Sequence, residues 1–335
     1  MLTLETHWTW DFWTARDGAT YHLFFLKAPK SLGDPGLRHW HARVGHATST
    51  DLRTWTVLPD ALGPGEAGAW DDMATWTGSV LRAEGAWHMF YTGINHREAG
   101  DHQRIGHAIS TDLAHWTKTS GPVLELDTTY YQGGVEGWPA VDWRDPWVYW
   151  SQAHGEYRML FTARHADGEV DERGVIGQAR SADLVTWEAL EPVVAPGEFG
   201  HLEVPQLFEA DGRWYLSYSV YAHAHSESRQ RAHTAVTGTH YFVADQEDGP
   251  FRSPGPDFFC GDPDGGALYA GRFERDPDGR LVFLAFLQAQ GGKAFAGGLS
   301  DPIPVRVEAG GRLILDGSTD MIPVGLSADT PAIAG

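Results

Sequence analysis

Along most of the chain, apolar and polar residues alternate in short aromatic-rich runs, and no segment sustains a helical period. The segments "ATYHLFFL" (19–26), "GAWHMFYT" (85–92), "GEYRMLFT" (155–162), "GRWYLSYS" (212–219) and "GRLVFLAF" (279–286) share one form. Most open on a glycine turn and run into Tyr, Trp, Phe or Leu, a pattern that predicts strands. Their third residues, Tyr21, Trp87, Tyr157, Trp214 and Leu281, stand 66, 70, 57 and 67 residues apart. A second unit follows three of them: "GHATSTDLRTW" (45–55), "GHAISTDLAHW" (106–116) and "GQARSADLVTW" (177–187).

Five all-β repeats of this length fit a propeller, in which each blade is a small antiparallel sheet around a central channel. Blades pack directly on one another, so no internal linker is expected. The sequence therefore predicts an all-β, five-bladed β-propeller forming a single domain over residues 1–335. Little chain remains after the fifth repeat, so no C-terminal β-sandwich is expected.

The innermost strand of each blade should precede the repeated strand and line the channel. About ten residues upstream of the five repeats stand Asp11, Gly78, Asp145, Glu203 and Tyr269. Three carboxylates thus hold equivalent inner positions in blades one, three and four, and should converge at the channel mouth. One of them lies in "AVDWRDPWVYW" (140–150), where Arg144 and Asp145 sit among tryptophans. Charged groups in so apolar a setting need partners.

Composition narrows the chemistry. A net charge of −20 carries no basic footprint for nucleic acid. No apolar run approaches the roughly 20 residues of a membrane helix. The lone Cys260 excludes an internal disulfide framework, and "LTLETHWTWDFW" after Met1 has no leader pattern, so a cytoplasmic setting is expected. Fifteen tryptophans offer flat faces for sugar rings, which makes carbohydrate the candidate partner.

Converging carboxylates suit glycosidic cleavage, which needs one protonated acid and one ionised carboxylate. Crowding of like charges and burial separate two such pKa values. The competing reading, turn-capping by Asp and Glu, loses ground for these three because register and aromatic setting agree across blades. A cation site is ranked lower, since the spacing lacks the close alternation of a calcium loop. His223, His225, His233 and His240 are read as polar positions after blade four rather than metal ligands, and Cys260 as inert. No cofactor is expected.

The blocks "RHWHARVGHATSTDLRTW", "WTGSV", "WRDP" and "HLEVPQLFE" resemble those of glycoside hydrolase family 32, the invertases, inulinases and levanases, over about residues 8–290. The resemblance implies a five-bladed propeller cleaving β-fructofuranosides with retention. It would make Asp11 the nucleophile, Glu203 the acid/base and Asp145 the transition-state stabiliser beside Arg144. Trp76, Thr77 and Trp40 would border the sugar. The first block departs from the family's Trp-Met-Asn-Asp-Pro-Asn-Gly, reading Trp8-Thr9-Trp10-Asp11-Phe12-Trp13-Thr14, so Trp10 replaces a sugar-binding asparagine. Leu26 likewise replaces a glutamine, and Val204 a cysteine. Two alternatives stay open: an inverting arabinan- or xylan-type glycosidase of the same superfamily, and a sugar-binding propeller without catalysis.

Overall fold

A computed structural model describes residues 1–263, 266–288 and 295–316, which fold into five four-stranded antiparallel sheets, each in simple chain order. Blade one holds β1 (His7–Asp17), β2 (Thr20–Pro29), β3 (Arg43–Ser49) and β4 (Thr56–Leu62). Blade two holds β5 (Ala74–Ala83), β6 (Ala86–Ile94), β7 (Arg104–Ser110) and β8 (Thr117–Lys118). Blade three holds β9 (Trp143–Ser151), β10 (Glu156–Arg164), β11 (Gly174–Ser181) and β12 (Glu188–Val194). Blade four holds β13 (Glu203–Ala210), β14 (Arg213–Val220), β15 (Thr237–Ala244) and β16 (Cys260–Asp262). Blade five holds β17 (Leu268–Arg275), β18 (Leu281–Leu287), β19 (Ile303–Val307) and β20 (Leu313–Leu315). The predicted five-bladed propeller is the observed fold. Leu2 and Leu299 exchange backbone hydrogen bonds of 3.1 and 2.8 Å, which ties the start of the chain to blade five and closes the ring.

The five aromatic repeats are the second strands, β2, β6, β10, β14 and β18, which pack the blades together. The second unit is the third strand and the turn that leaves it. In blade one Ser49 Oγ donates to Asp51 Oδ1 at 2.8 Å, and the same Oδ1 accepts the Arg53 and Thr54 amides. Asp112 and Asp183 repeat this arrangement. The leucine of each turn, Leu52, Leu113 or Leu184, is left-handed, with φ of 60, 65 and 61°. That conformation is costly for a side chain with a Cβ, and the leucines are buried in return. The repeated "STDL" is thus a folding device. The glycine opening each unit is fixed by close approach: a Cβ on Gly45 or Gly177 would lie 2.5 or 2.4 Å from the ring of Phe25 or Phe161.

Beside these glycines, blades one and two hold histidine pairs, with His46, His88 and His107 buried and His22 half-buried. His22 Nδ1 lies 3.0 Å from His46 Nε2, and His88 Nδ1 lies 2.9 Å from His107 Nε2. Blade three places Arg158 and Gln178 at the same two positions. Burial first, and the neighbouring histidine second, push His46 and His107 down to about 4. An unfolded histidine takes its proton near pH 6.5, so these two sites favour the unfolded chain progressively as pH falls from 6.5 to about 4. Replacing both by the residue blade three uses, His46→Gln with His107→Gln, is expected to flatten the fall in Tm across that window. Thermal unfolding of variant and wild type at matched pH checks it, and parallel curves would refute the assignment.

Candidate active site

All five inner strands break register at one level. The shifts fall between Trp10 and Phe12, between Trp76 and Gly78, opposite Leu160/Thr162 in β9, between Glu203 and Gln206, and between Tyr269 and Arg272. Each is a bulge, which bends a strand and re-aims its side chains. Three carry a left-handed non-glycine residue: Asp145 at φ 59°, Val204 at 54° and Ala270 at 49°. For the β-branched Val204 this is real backbone strain. The bulges open a pocket of about 390 Å³ at the channel mouth, lined by Asp11, Asp145 and Glu203 together.

Trp10, Trp76, Thr77 and Arg144 also line it, and Tyr269 completes the ring from blade five. Trp40 does not. Its ring packs 6.1 Å from that of Trp76 and closes over Gly100, behind the pocket wall. The 3-10 turn Pro35–His41 instead presents Arg38 and His39. Sequence reasoning missed these two, with Gln103, Trp138, Asp142, His201 and Tyr221. Asp142 and His201 each stand two residues before a residue it did name, but just ahead of β9 and β13, where a count along the strands does not reach.

Arg144 is the hub of the charge network. Its guanidinium donates to Glu203 Oε1 at 2.8 Å and Gln103 Oε1 at 3.1 Å, contacts Asp142, and lies 3.5 Å from Asp145 Oδ2. Asp145 Oδ2 also accepts from Thr162 Oγ1 at 2.8 Å and from the Val204 amide. Burial raises the Asp145 carboxyl against the pull of Arg144. Arg272 donates to the carbonyls of Phe12, Val204 and Pro205 and stacks on Trp147, tying inner strands of four blades together.

The two remaining carboxyls are driven apart. Burial, then Asp145, raises Asp11 to about 7, even though Thr77 Oγ1 donates to it at 2.5 Å. Burial would raise Glu203 too, but His201, Arg144 and the Tyr269 hydroxyl at 2.5 Å outweigh it and hold the group at about 2. The environment thus favours the protonated form at Asp11 and the ionised form at Glu203.

The four late histidines do not meet. His225 bonds the Val236 carbonyl and Arg229, and His240 bonds the Gly255 carbonyl, while His223 stacks on Tyr221. No group of three or more metal-ligating side chains occurs among the described residues. Cys260 is buried and its thiol is pushed up to about 12 by that burial, which keeps it unreactive.

A five-bladed ring with unequal carboxyls at the mouth of its channel is the architecture of the propeller glycosidases. The model of the "Glycosyl hydrolases family 32 N-terminal domain" matches residues 14–296, beginning just after Asp11. The chain belongs to that family. It is 29% identical to a fructan 6-exohydrolase of Beta vulgaris over 56% of its length and 29% of that protein. It is equally 29% identical to a levanase of Bacillus subtilis (strain 168) over 70% of its length and 32% of that protein. The match thus spans less than a third of either relative. In fold it is similar to an inulosucrase from Halalkalicoccus jeotgali bound to kestose, with a TM-score of 0.73, 23% identity, and coverage of 98% of this chain and 92% of that one.

Proposed function

We propose that the protein cleaves or transfers β-fructofuranosyl units by double displacement with retention. The observation that carries this is the meeting of Asp11, Asp145 and Glu203 in one pocket, where burial and the neighbouring charges push Asp11 up and hold Glu203 down. Family membership and the sugar-acting relatives support the substrate class.

Asp11 attacks the anomeric carbon, and Glu203 protonates the departing oxygen. Glu203 then takes a proton from water as that water displaces Asp11 from the sugar. Asp145 and Arg144 hold hydroxyls of the ring in the geometry of the planar transition state. These roles need the proton on Glu203, whereas the surrounding side chains favour it on Asp11. His201, Arg144 and Tyr269 hold Glu203 ionised, so a sugar hydroxyl that draws the Arg144 and Tyr269 donors to itself moves the proton toward Glu203. Whichever carboxyl bears it, the pair has lost its acid above the higher value. kcat/KM is therefore expected to fall about tenfold per pH unit above pH about 7, as a pH–rate profile would show.

The deciding experiment incubates purified protein with sucrose, inulin, levan, kestose and arabinan, and follows the first-formed anomer by NMR. Retained configuration from a fructoside supports the reading. The inverted anomer, or turnover of arabinan alone, overturns it.

A further inference from the structure

Arg38 is a buried cation at the pocket wall, 7% exposed. Among the described residues no carboxylate lies within ion-pair distance of it. Its one hydrogen bond within them runs from Nη1 to the Pro35 carbonyl at 2.9 Å, and Nε is buried without any partner. A guanidinium offers five donors, and a buried charge left unpaired is costly. Part of that cost is offset by aromatic faces: the guanidinium carbon stands 3.9 Å from the Phe295 ring centroid and 5.5 Å from that of Trp10. Those faces fix the plane of the fork without using its donors. Arg38 also lines the pocket, within electrostatic reach of the Tyr221 hydroxyl and of the Asp11 and Asp34 carboxyls. Across the β1–β2 ladder Trp10 pairs with Leu26, and both line the same wall. This side of the pocket is therefore aromatic and aliphatic surface with one clamped, under-used fork of donors.

We propose that Arg38 is a substrate-binding residue, whose free N–H groups grip hydroxyl oxygens of a neutral sugar seated against Trp10 and Leu26. This rests on the fructoside reading and names the side chain that reads the sugar at that wall. A neutral ligand is favoured over a phosphorylated or carboxylated one by the company Arg38 keeps. Asp11, Asp142, Asp145 and Glu203 face the same space, and Arg144 already serves three of them. An anionic group would be drawn by one cation and repelled by that excess.

The test is made in an Asp11→Asn background, so that binding is read without turnover. Calorimetric titration with sucrose and kestose compares Arg38, Arg38→Met and Arg38→Lys. Loss of charge-assisted hydrogen bonds in a dry site should raise Kd about 10- to 100-fold for Met. Lys keeps the charge but not the fork, and should fall between. Thermal unfolding accompanies each variant, and Arg38→Lys, which keeps the cation over Phe295, guards against a folding defect in Arg38→Met. In the catalytically intact protein, Arg38→Met should move the alkaline limb of kcat/KM upward, because Arg38 lowers Asp11. A merely structural residue would not do that. Unchanged Kd in both variants overturns the proposal. So does a phosphorylated fructoside that binds wild type more tightly than sucrose and loses that advantage in Arg38→Met. If the Asp11→Asn protein binds no fructoside and wild type turns none over, the fructoside reading falls, and this inference with it.

Discussion

Asp11→Asn is expected to reduce turnover of a fructoside by about 10⁴-fold or more, leaving the residual rate to binding and the remaining charges. The side chain is nearly isosteric, and Thr77 can still donate to its oxygen, so the pocket should keep its shape. Stability should move the other way. Asp11 has a folded value of about 7 against an ordinary one of 3.8. A group raised in this way stabilises the fold below its unfolded value and loses that contribution as pH rises through the folded one. At pH 8 the ionised Asp11 works against folding, so the asparagine variant should melt higher than wild type there. Glu203→Gln should be equally poor on ordinary fructosides but recover with substrates whose leaving group needs no proton, which Asp11→Asn should not do. Parallel activity and melting measurements on both variants decide it; full activity in Asp11→Asn would remove it as nucleophile.

The second large effect is expected from Arg144→Met. It leaves Asp142, Asp145 and Glu203 buried around an apolar side chain, with only neutral donors beside them: Trp138 to Asp142, Thr162 and the Val204 amide to Asp145, and Tyr269 to Glu203. Removing one partner from a buried ion network costs about 3–5 kcal/mol, enough to lower Tm by many degrees. Glu203 should rise from about 2 toward the ordinary carboxylate range, since Arg144 is among the groups that depress it. Turnover should fall about 10³-fold or more through loss of the hydroxyl-positioning grip. Arg144→Lys keeps the charge but cannot reach all three carboxylates with a planar fork, so it should recover stability better than activity. Denaturant melts alongside kcat/KM check this, and a Met variant with wild-type Tm would show the network to be structurally idle.

Much of the fold was legible in the sequence because a propeller is built from local events. Alternating aromatics set each second strand, glycine and Ser-Thr-Asp-Leu set each turn, and their recurrence counted the blades. Counting back about ten residues from each repeat then found the inner strands. That is why Asp11, Asp145, Glu203 and Tyr269 were found together, and why Thr77, one residue from Gly78, was near the mark. The count could not reach residues outside the strands, and there the resemblance named Trp40. Within the 3-10 turn at 35–41 the side-chain phase is neither two nor 3.6, so Trp40 turned to the back of the wall while Arg38 and His39 faced the pocket.

The charge states could not be read from the sequence at all. Asp11 and Glu203 are the same kind of group at matching places in two blades. Only assembly of the ring puts Asp145 beside one, and brings Arg144 and Tyr269 to join the nearby His201 around the other. The sequence by itself determined how many blades form and which inner-strand carboxylates reach the channel mouth, since both follow from contacts close along the chain. The tertiary structure decided which carboxyl holds the proton and left Arg38 with donors to spare. Burial and Coulomb fields come from blades distant in sequence, and exist only once the ring has closed.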